Sequence, residues 1–251
     1  MQDPPAAKFW QTEAIPAKKE KMAFDISIKQ ANEQAQRKFL SGVYQWMVLA
    51  LAISGAVAWL VAGNPAVQRL VFGNVLVFFA LVIGEFALVW WLSAAIRHIS
   101  VRAAGIAFVA YSVLNGLTLS GVFLLYTGTS VVRIFAITAL MFGGMSLYGL
   151  KTKSDLRSMG RYLVMALIGI VIAGLVNLFL ASTWLDMLIS MVTVVVFTGL
   201  TAYDTQKLLA AANQADGSEV FHKVAIIGAL ELYLDFINIF LALLRLFGNR
   251  D

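Results

Sequence analysis

The sequence predicts an all-α polytopic membrane protein, a bundle of seven transmembrane helices, on three observations. Hydrophobic residues make up 60% of the 251 positions and charged residues only 13%, more apolar surface than a soluble core of this length can hide. Stretches that meet the requirement of about 20 apolar residues for a spanning helix fall near 43–63, 75–96, 103–126, 131–150, 162–181, 184–203 and 224–247. They lack the alternation of polar and apolar residues that barrel strands need, and backbone groups in hydrocarbon must bond within their own segment, so each stretch is read as a helix. The chain then divides into a polar tail, 1–41, and one transmembrane domain, 42–251.

The tail mixes Pro4, Pro5 and Pro16 with scattered charge. Its start reads as disordered and its part from Phe24 to Phe39 as a helix lying at the membrane surface. Because the tail precedes any apolar run, no cleavable signal peptide is expected and the first span serves as the insertion signal. Trp46 and Trp59 flank that span and Trp184 opens the sixth, as interfacial anchors do. Small residues one turn apart, Gly116 with Ser120 and Gly169 with Ala173, suit close helix contact. Gln206 to Ala212 extend the sixth helix before a turn at Asn213 to Ser218.

Orientation follows from lysine and arginine, since positively charged loops resist translocation. The tail holds Lys8, Lys18, Lys19, Lys21, Lys29, Arg37 and Lys38, and alternate loops hold Arg97, Arg102, Lys151, Lys153, Arg157, Arg161, Lys207 and Lys223, whereas the other loops hold Arg69 and Arg133. This puts the amino terminus in the cytoplasm and makes the net charge of +5 a topology signal, with no nucleic-acid partner implied. Seven spans then export the carboxyl terminus with Arg245 and Arg250, and the alternative is a re-entrant last helix that keeps them inside.

An ionisable residue within a span costs about 2.5–3.5 kcal/mol on insertion scales, so it normally faces the protein interior or a water-filled path. Glu85, Asp204, Glu231 and Asp235 qualify. In the last span Glu231, Asp235, Asn238, Ala242 and Arg245 share one helical face, and in the sixth Ser190, Thr193, Thr201 and Asp204 cluster within about a quarter turn. Two neighbouring helices thus present carboxylates that could face each other. A purely structural reading is also open: Glu231 and Asp235 would bond to separate helices while Arg245 snorkels. Asp204, near a span end, could simply be hydrated. Glu85 is mid-span, and Arg97, about 120° round the same helix, is not an obvious partner for it.

Carboxyls of Asp204 and Asp235 within hydrogen-bond distance would share a proton and titrate as one unit. When ionised, the pair offers oxygens that suit transient calcium passage better than tight storage, because calcium wants six to eight ligands. A symmetric hairpin about Asp216 and Gly217 sets Asp204 level with Ile227 to Glu231, and Asp235 about a turn deeper.

Enzymatic readings find little support. Gly144 to Thr152 resembles a phosphate-binding loop with a displaced lysine, but it ends an apolar span where such a loop follows a strand. Ser146 has no base at hand, since His98 and His222 fall in loops. Neither histidine has a partner at zinc-ligand spacing, and the chain has no cysteine. No catalytic residues and no resident cofactor are expected.

The run Thr201-Ala-Tyr-Asp-Thr-Gln206, then Leu232-Tyr-Leu-Asp-Phe-Ile-Asn-Ile-Phe240, closing in Leu243-Leu-Arg-Leu-Phe-Gly248, resembles the Bax inhibitor-1 family, also called the transmembrane Bax inhibitor motif proteins, in its bacterial type. The resemblance implies a last span wrapped by the other six and an aspartate pair, here Asp204 and Asp235, acting as a pH-sensitive gate for calcium leak in a bacterial inner membrane. It also implies an arginine latch from the second span, for which only Arg97 is available, matched by location. Glu231 and the tail have no role in the motif. The leading expectation is therefore a pH-sensitive calcium leak channel. The alternative is a membrane regulator that binds a membrane-anchored protease through its cytoplasmic side, and a proton-coupled transporter ranks third.

Overall fold

A computed structural model describes residues 6–215 and 218–250, with side chains described from Gln30 onward, Ala31 excepted. Among the described residues the chain forms nine helices: α1 (Ala6–Ala62), α2 (Pro65–Phe72), α3 (Val75–Ala95), α4 (Val101–Leu119), α5 (Val122–Leu125), α6 (Gly128–Lys151), α7 (Arg157–Leu180), α8 (Thr183–Ala212) and α9 (Glu219–Phe247). Seven stretches are long and apolar enough to cross a membrane, and each contains or closely tracks one of the expected spans. The protein is an all-α integral membrane protein.

Local chemistry fixes the helix starts. Asn64 accepts from the backbone N–H groups of Ala66 and Val67 with Pro65 at the first helical position, and Asn74, Ser100, Thr127 and Ser182 cap α3, α4, α6 and α8. Helix α7 ends on Ala181 in the left-handed region, φ 48°, and the Asn177 side chain accepts from the Ser182 N–H there. The short α2 lies between the first two spans, where the sequence pattern shows only a loop.

The backbone is helical from Ala6, so the division at Ser41 falls within α1, where the sequence suggests a disordered start. The last turns before the bundle are docked: Gln36 donates to Asn213 Oδ1 at 2.8 Å, and Phe39 meets the Phe221 ring edge-on at 6.1 Å. The Asn213–Ser218 turn is described except for Asp216 and Gly217, which lie outside the described residues.

Helix α9 is the axis of the bundle, with 67% of its apolar window buried, against 6% for α3 and none for α7. Its main neighbours are α1, α4, α6 and α8, while α3 packs on α4 and α7 packs on α8. The last span is therefore central, as expected, with these four helices as its immediate walls and α3 and α7 packed outside them. Small residues permit these approaches. A methyl group on Gly116 would meet Val57 and the Ser54 carbonyl of α1, and one on Gly149 would meet the backbone of Ala202 in α8. Gly169 has nothing near it, which corrects the contact expected there: its helix turns that face to lipid.

Helix α9 begins at the face bearing the α8–α9 turn and ends at the opposite one. There Thr127 N–H donates to the Asn249 carbonyl at 3.1 Å, Asn249 N–H donates to Ser130 Oγ at 3.0 Å, and Arg250 lies over the Tyr126 ring. Arg245 sits 3.8 Å from Asp186 in the first turn of α8. Helix α9 thus runs unbroken from one end of the bundle to the other and is long and apolar enough to cross a membrane, the geometry of a seventh span and not of a re-entrant helix.

A polar network ties α9 to the α1, α3 and α4 side. The Tyr233 hydroxyl donates to Asn115 Oδ1 at 2.8 Å and lies 2.6 Å from Ser54 Oγ, while Asn115 and Thr118 donate to Glu85 at 3.2 and 2.8 Å. Tyr233 is fully enclosed, its ring edge-on to Phe108 and Tyr111. Tyr233→Phe leaves the buried Asn115 oxygen without its donor, a loss of about 1–3 kcal/mol, which thermal unfolding of the purified chain in detergent will register as a lowered midpoint.

Candidate functional site

Opposite Tyr233 on α9, the faces of α8 and α9 carry a second polar cluster. Helix α8 supplies Thr201, Asp204 and Lys207, and α9 supplies Glu231 and Asp235. On each helix the members are spaced by three or four residues, so they stack along one face.

Lys207 Nζ donates to both carboxylate oxygens of Glu231, at 2.7 and 2.8 Å, and lies 3.8 Å from Asp204 Oδ1. The side chains become more enclosed going inward: Lys207 is 48% exposed, Glu231 31% and Asp204 13%, while Asp235 is 3% exposed. Asp235 has Thr201 of α8 as its hydroxyl neighbour. Its Oδ2 nevertheless has no hydrogen-bond partner among the described residues. A buried polar atom without a partner costs free energy, so the rest of the bundle must outweigh it here.

Of the expected site residues, Asp204 and Glu231 share Lys207 as a common cation, and Asp235 lies one turn further along α9 from Glu231. Glu85 lies in the other network, held by Asn115 and Thr118. Arg97 is exposed in the turn after α3, with no ion pair among the described residues. The cation at the cluster is Lys207, which sequence reasoning assigned to loop charge. Its signal was present, because a lysine three residues after Asp204 on a continuing helix lies on the same face. Ser146 has a packing role, accepting from Thr205 at 3.4 Å where α6 meets α8.

Among the described residues no three His, Cys, Asp or Glu side chains converge as a metal cage. In this arrangement the Lys207 ammonium is bound by Glu231 and lies beside Asp204. Toward the α6–α7 loop, Lys207 also lines an open groove of about 460 Å³ with Lys153, Asp155, Arg157, Tyr203 and Gln206. Gln206 fastens the loop to α8, donating to the Ser154 carbonyl at 2.8 Å and accepting from the Leu156 N–H at 2.9 Å.

Comparison with known proteins places these residues within a matched region. Residues 36–251 match the family described as inhibitor of apoptosis-promoting Bax1. The chain is 49% identical over 214 residues to the inner membrane protein YbhL of Escherichia coli K12, covering 84% of this chain and 92% of that one. It is 43% identical over 227 residues to a protein of Borreliella burgdorferi, covering 90% and 98%. A Caulobacter vibrioides protein is 37% identical over 248 residues, covering 95% and 96%.

Proposed function

Because the chain belongs to the Bax inhibitor-1 family, we propose that it is a pH-sensitive calcium leak channel of a bacterial inner membrane, gated at Asp204 and Asp235 between α8 and α9. The observation that carries this reading is Asp235 itself, a carboxyl on the central helix with an oxygen that has no hydrogen-bond partner among the described residues. A group so placed is expensive, and intramembrane acids of this kind mark ion or proton paths. The YbhL name supports the inner membrane, and the positive face carrying α1's start supports a cytoplasmic amino terminus.

The sign of the pH effect follows from charge. With both aspartates ionised, two like charges beside Glu231 repel across the α8–α9 seam, and a cation entering from the Lys207 side relieves that repulsion. Protonation removes the charge, allows the seam to close and takes away the cation's ligands. Leak therefore rises with pH. Calcium flux into vesicles reconstituted with the full chain, measured from about pH 6 to about pH 8, will increase with pH, and Asp204→Asn with Asp235→Asn will flatten it at a low level. Undiminished flux in that double variant eliminates the mechanism.

The unbroken polar extension of α1 favours a second role, capture of a membrane protein partner such as a protease. Deleting residues 1–34 tests it while sparing Gln36 and Phe39, which are anchored to the bundle. Loss of a co-purifying partner with flux intact supports two separable activities, and an unchanged partner profile removes the second.

A further inference from the structure

The groove of about 460 Å³ at the α6–α7 loop has no part in the calcium reading. Its walls are Lys153, Ser154, Asp155 and Arg157 from the loop and the start of α7, and Tyr203, Gln206, Lys207 and Ala210 from α8. Three of these side chains are cationic and one is acidic. Asp155 is spent locally: its Oδ1 accepts from the Arg157 N–H at 3.0 Å and lies 3.9 Å from the Arg157 guanidinium. Both side chains are mostly exposed, where such an ion pair is weak. Lys207 is held by Glu231 on the seam side. Lys153 has no ion pair among the described residues, so the groove keeps an unbalanced positive charge that suits an anion.

The walls are set by contacts within the chain. Gln206 grips the loop with both ends of its amide, at the Ser154 carbonyl and the Leu156 N–H. Gly160 lets the Tyr203 ring lie against the first turns of α7, since a Cβ there would collide with that ring. The depth of the groove selects the source of the anion. Arg157 opens α7, a helix with none of its apolar window buried, and Tyr162, Met165 and Ile168 further along it are exposed. The step from Arg157 to Tyr162 is about 7.5 Å along the axis, so the groove stands at the headgroup level of the lipid that covers α7. Basic pockets between spans at this level take anionic headgroups.

We propose that this groove binds the phosphodiester of an anionic phospholipid, with Lys153 and Arg157 as its charged contacts and the acyl chains lying along α7. Such a site stands whether or not the bundle conducts calcium. It also sets Lys153 and Arg157 apart from the other positive charges of that face, which topology alone explains.

Native mass spectrometry of the purified full chain, titrated in detergent with phosphatidylglycerol or phosphatidylcholine, tests the site. The wild-type chain is expected to retain phosphatidylglycerol at least about ten-fold more strongly than phosphatidylcholine, and Lys153→Gln with Arg157→Gln to bring that ratio to about one. Arg37→Gln with Lys38→Gln removes the same charge from exposed positions of α1, beside the Gln36 contact with Asn213 on the same face, and is expected to leave the ratio unchanged. A wild-type ratio near one, a ratio that survives in the groove variant, or an equal fall in the α1 variant overturns the proposal. Inorganic phosphate supplies the remaining arm. At millimolar concentration it is expected to leave phosphatidylglycerol bound, and displacement of the lipid would assign the groove to free phosphate and overturn the proposal as well.

Discussion

Asp235→Leu is expected to make the protein more stable and, on the proposed channel reading, to leave vesicles without a pH-dependent calcium leak. Leucine keeps the branched heavy-atom skeleton of aspartate, so the substitution introduces little change of shape at a position only 3% exposed. It removes the Oδ2 atom that has no hydrogen-bond partner among the described residues. The Thr201 hydroxyl does not depend on Asp235, because it already donates to the Phe197 carbonyl at 2.8 Å. Removing one unsatisfied buried polar group is worth about 1–3 kcal/mol, and replacing buried ionic groups with apolar ones of similar volume is often neutral or stabilising. A higher unfolding midpoint in detergent, together with flat and low calcium flux, is the signature of a residue retained for function at the expense of stability. A lowered midpoint would mean that Asp235 is satisfied and structural.

Gly149→Ala is expected to damage the α6–α8 crossing heavily for so small a change. A methyl group there would collide with the Ala202 carbonyl and its backbone neighbours in α8, which no side-chain rotation can relieve. Helix α6 must then move off α8, stretching the Thr205 to Ser146 contact of 3.4 Å and disturbing the helix that carries Asp204. Overpacking usually costs about 1–3 kcal/mol, and the rigid backbone on both sides puts this case at the upper end. Gly228→Ala is the control, since its methyl would meet the far end of the Leu208 side chain, which can turn aside. Unfolding midpoints should therefore fall clearly for Gly149→Ala and little for Gly228→Ala. Equal losses would mean that α6 and α8 are not locked at this crossing.

The spans were legible because each is a run of apolar residues that only a lipid-embedded helix explains, and the acid stripe of α9 was legible because Glu231 and Asp235 are one turn apart among Leu, Ile and Phe. What escaped the sequence depended on packing between distant segments. Gly116 and Gly169 look alike in a helical run, yet one faces α1 and the other faces lipid, a choice made by which helices surround α4 and α7. In the sequence Lys207 fits the positive face as a topology charge, and only the meeting of α8 with α9 shows it bound to Glu231. Arg97 was assigned by location, but the turn after α3 leaves it at the bundle surface. Glu85 was recognisable as costly. Its partners Asn115 and Thr118 come from another helix that no spacing rule connects to it.

The account turns on Asp204 and Asp235 titrating as a coupled pair in the bundle interior, and infrared difference spectra of the reconstituted chain across a pH step read this directly. The account predicts a protonated carboxyl C=O band that disappears as pH rises, is missing from Asp235→Asn, and shifts in titration midpoint in Asp204→Asn. A band that survives in Asp235→Asn, or that titrates identically with and without Asp204, would contradict it.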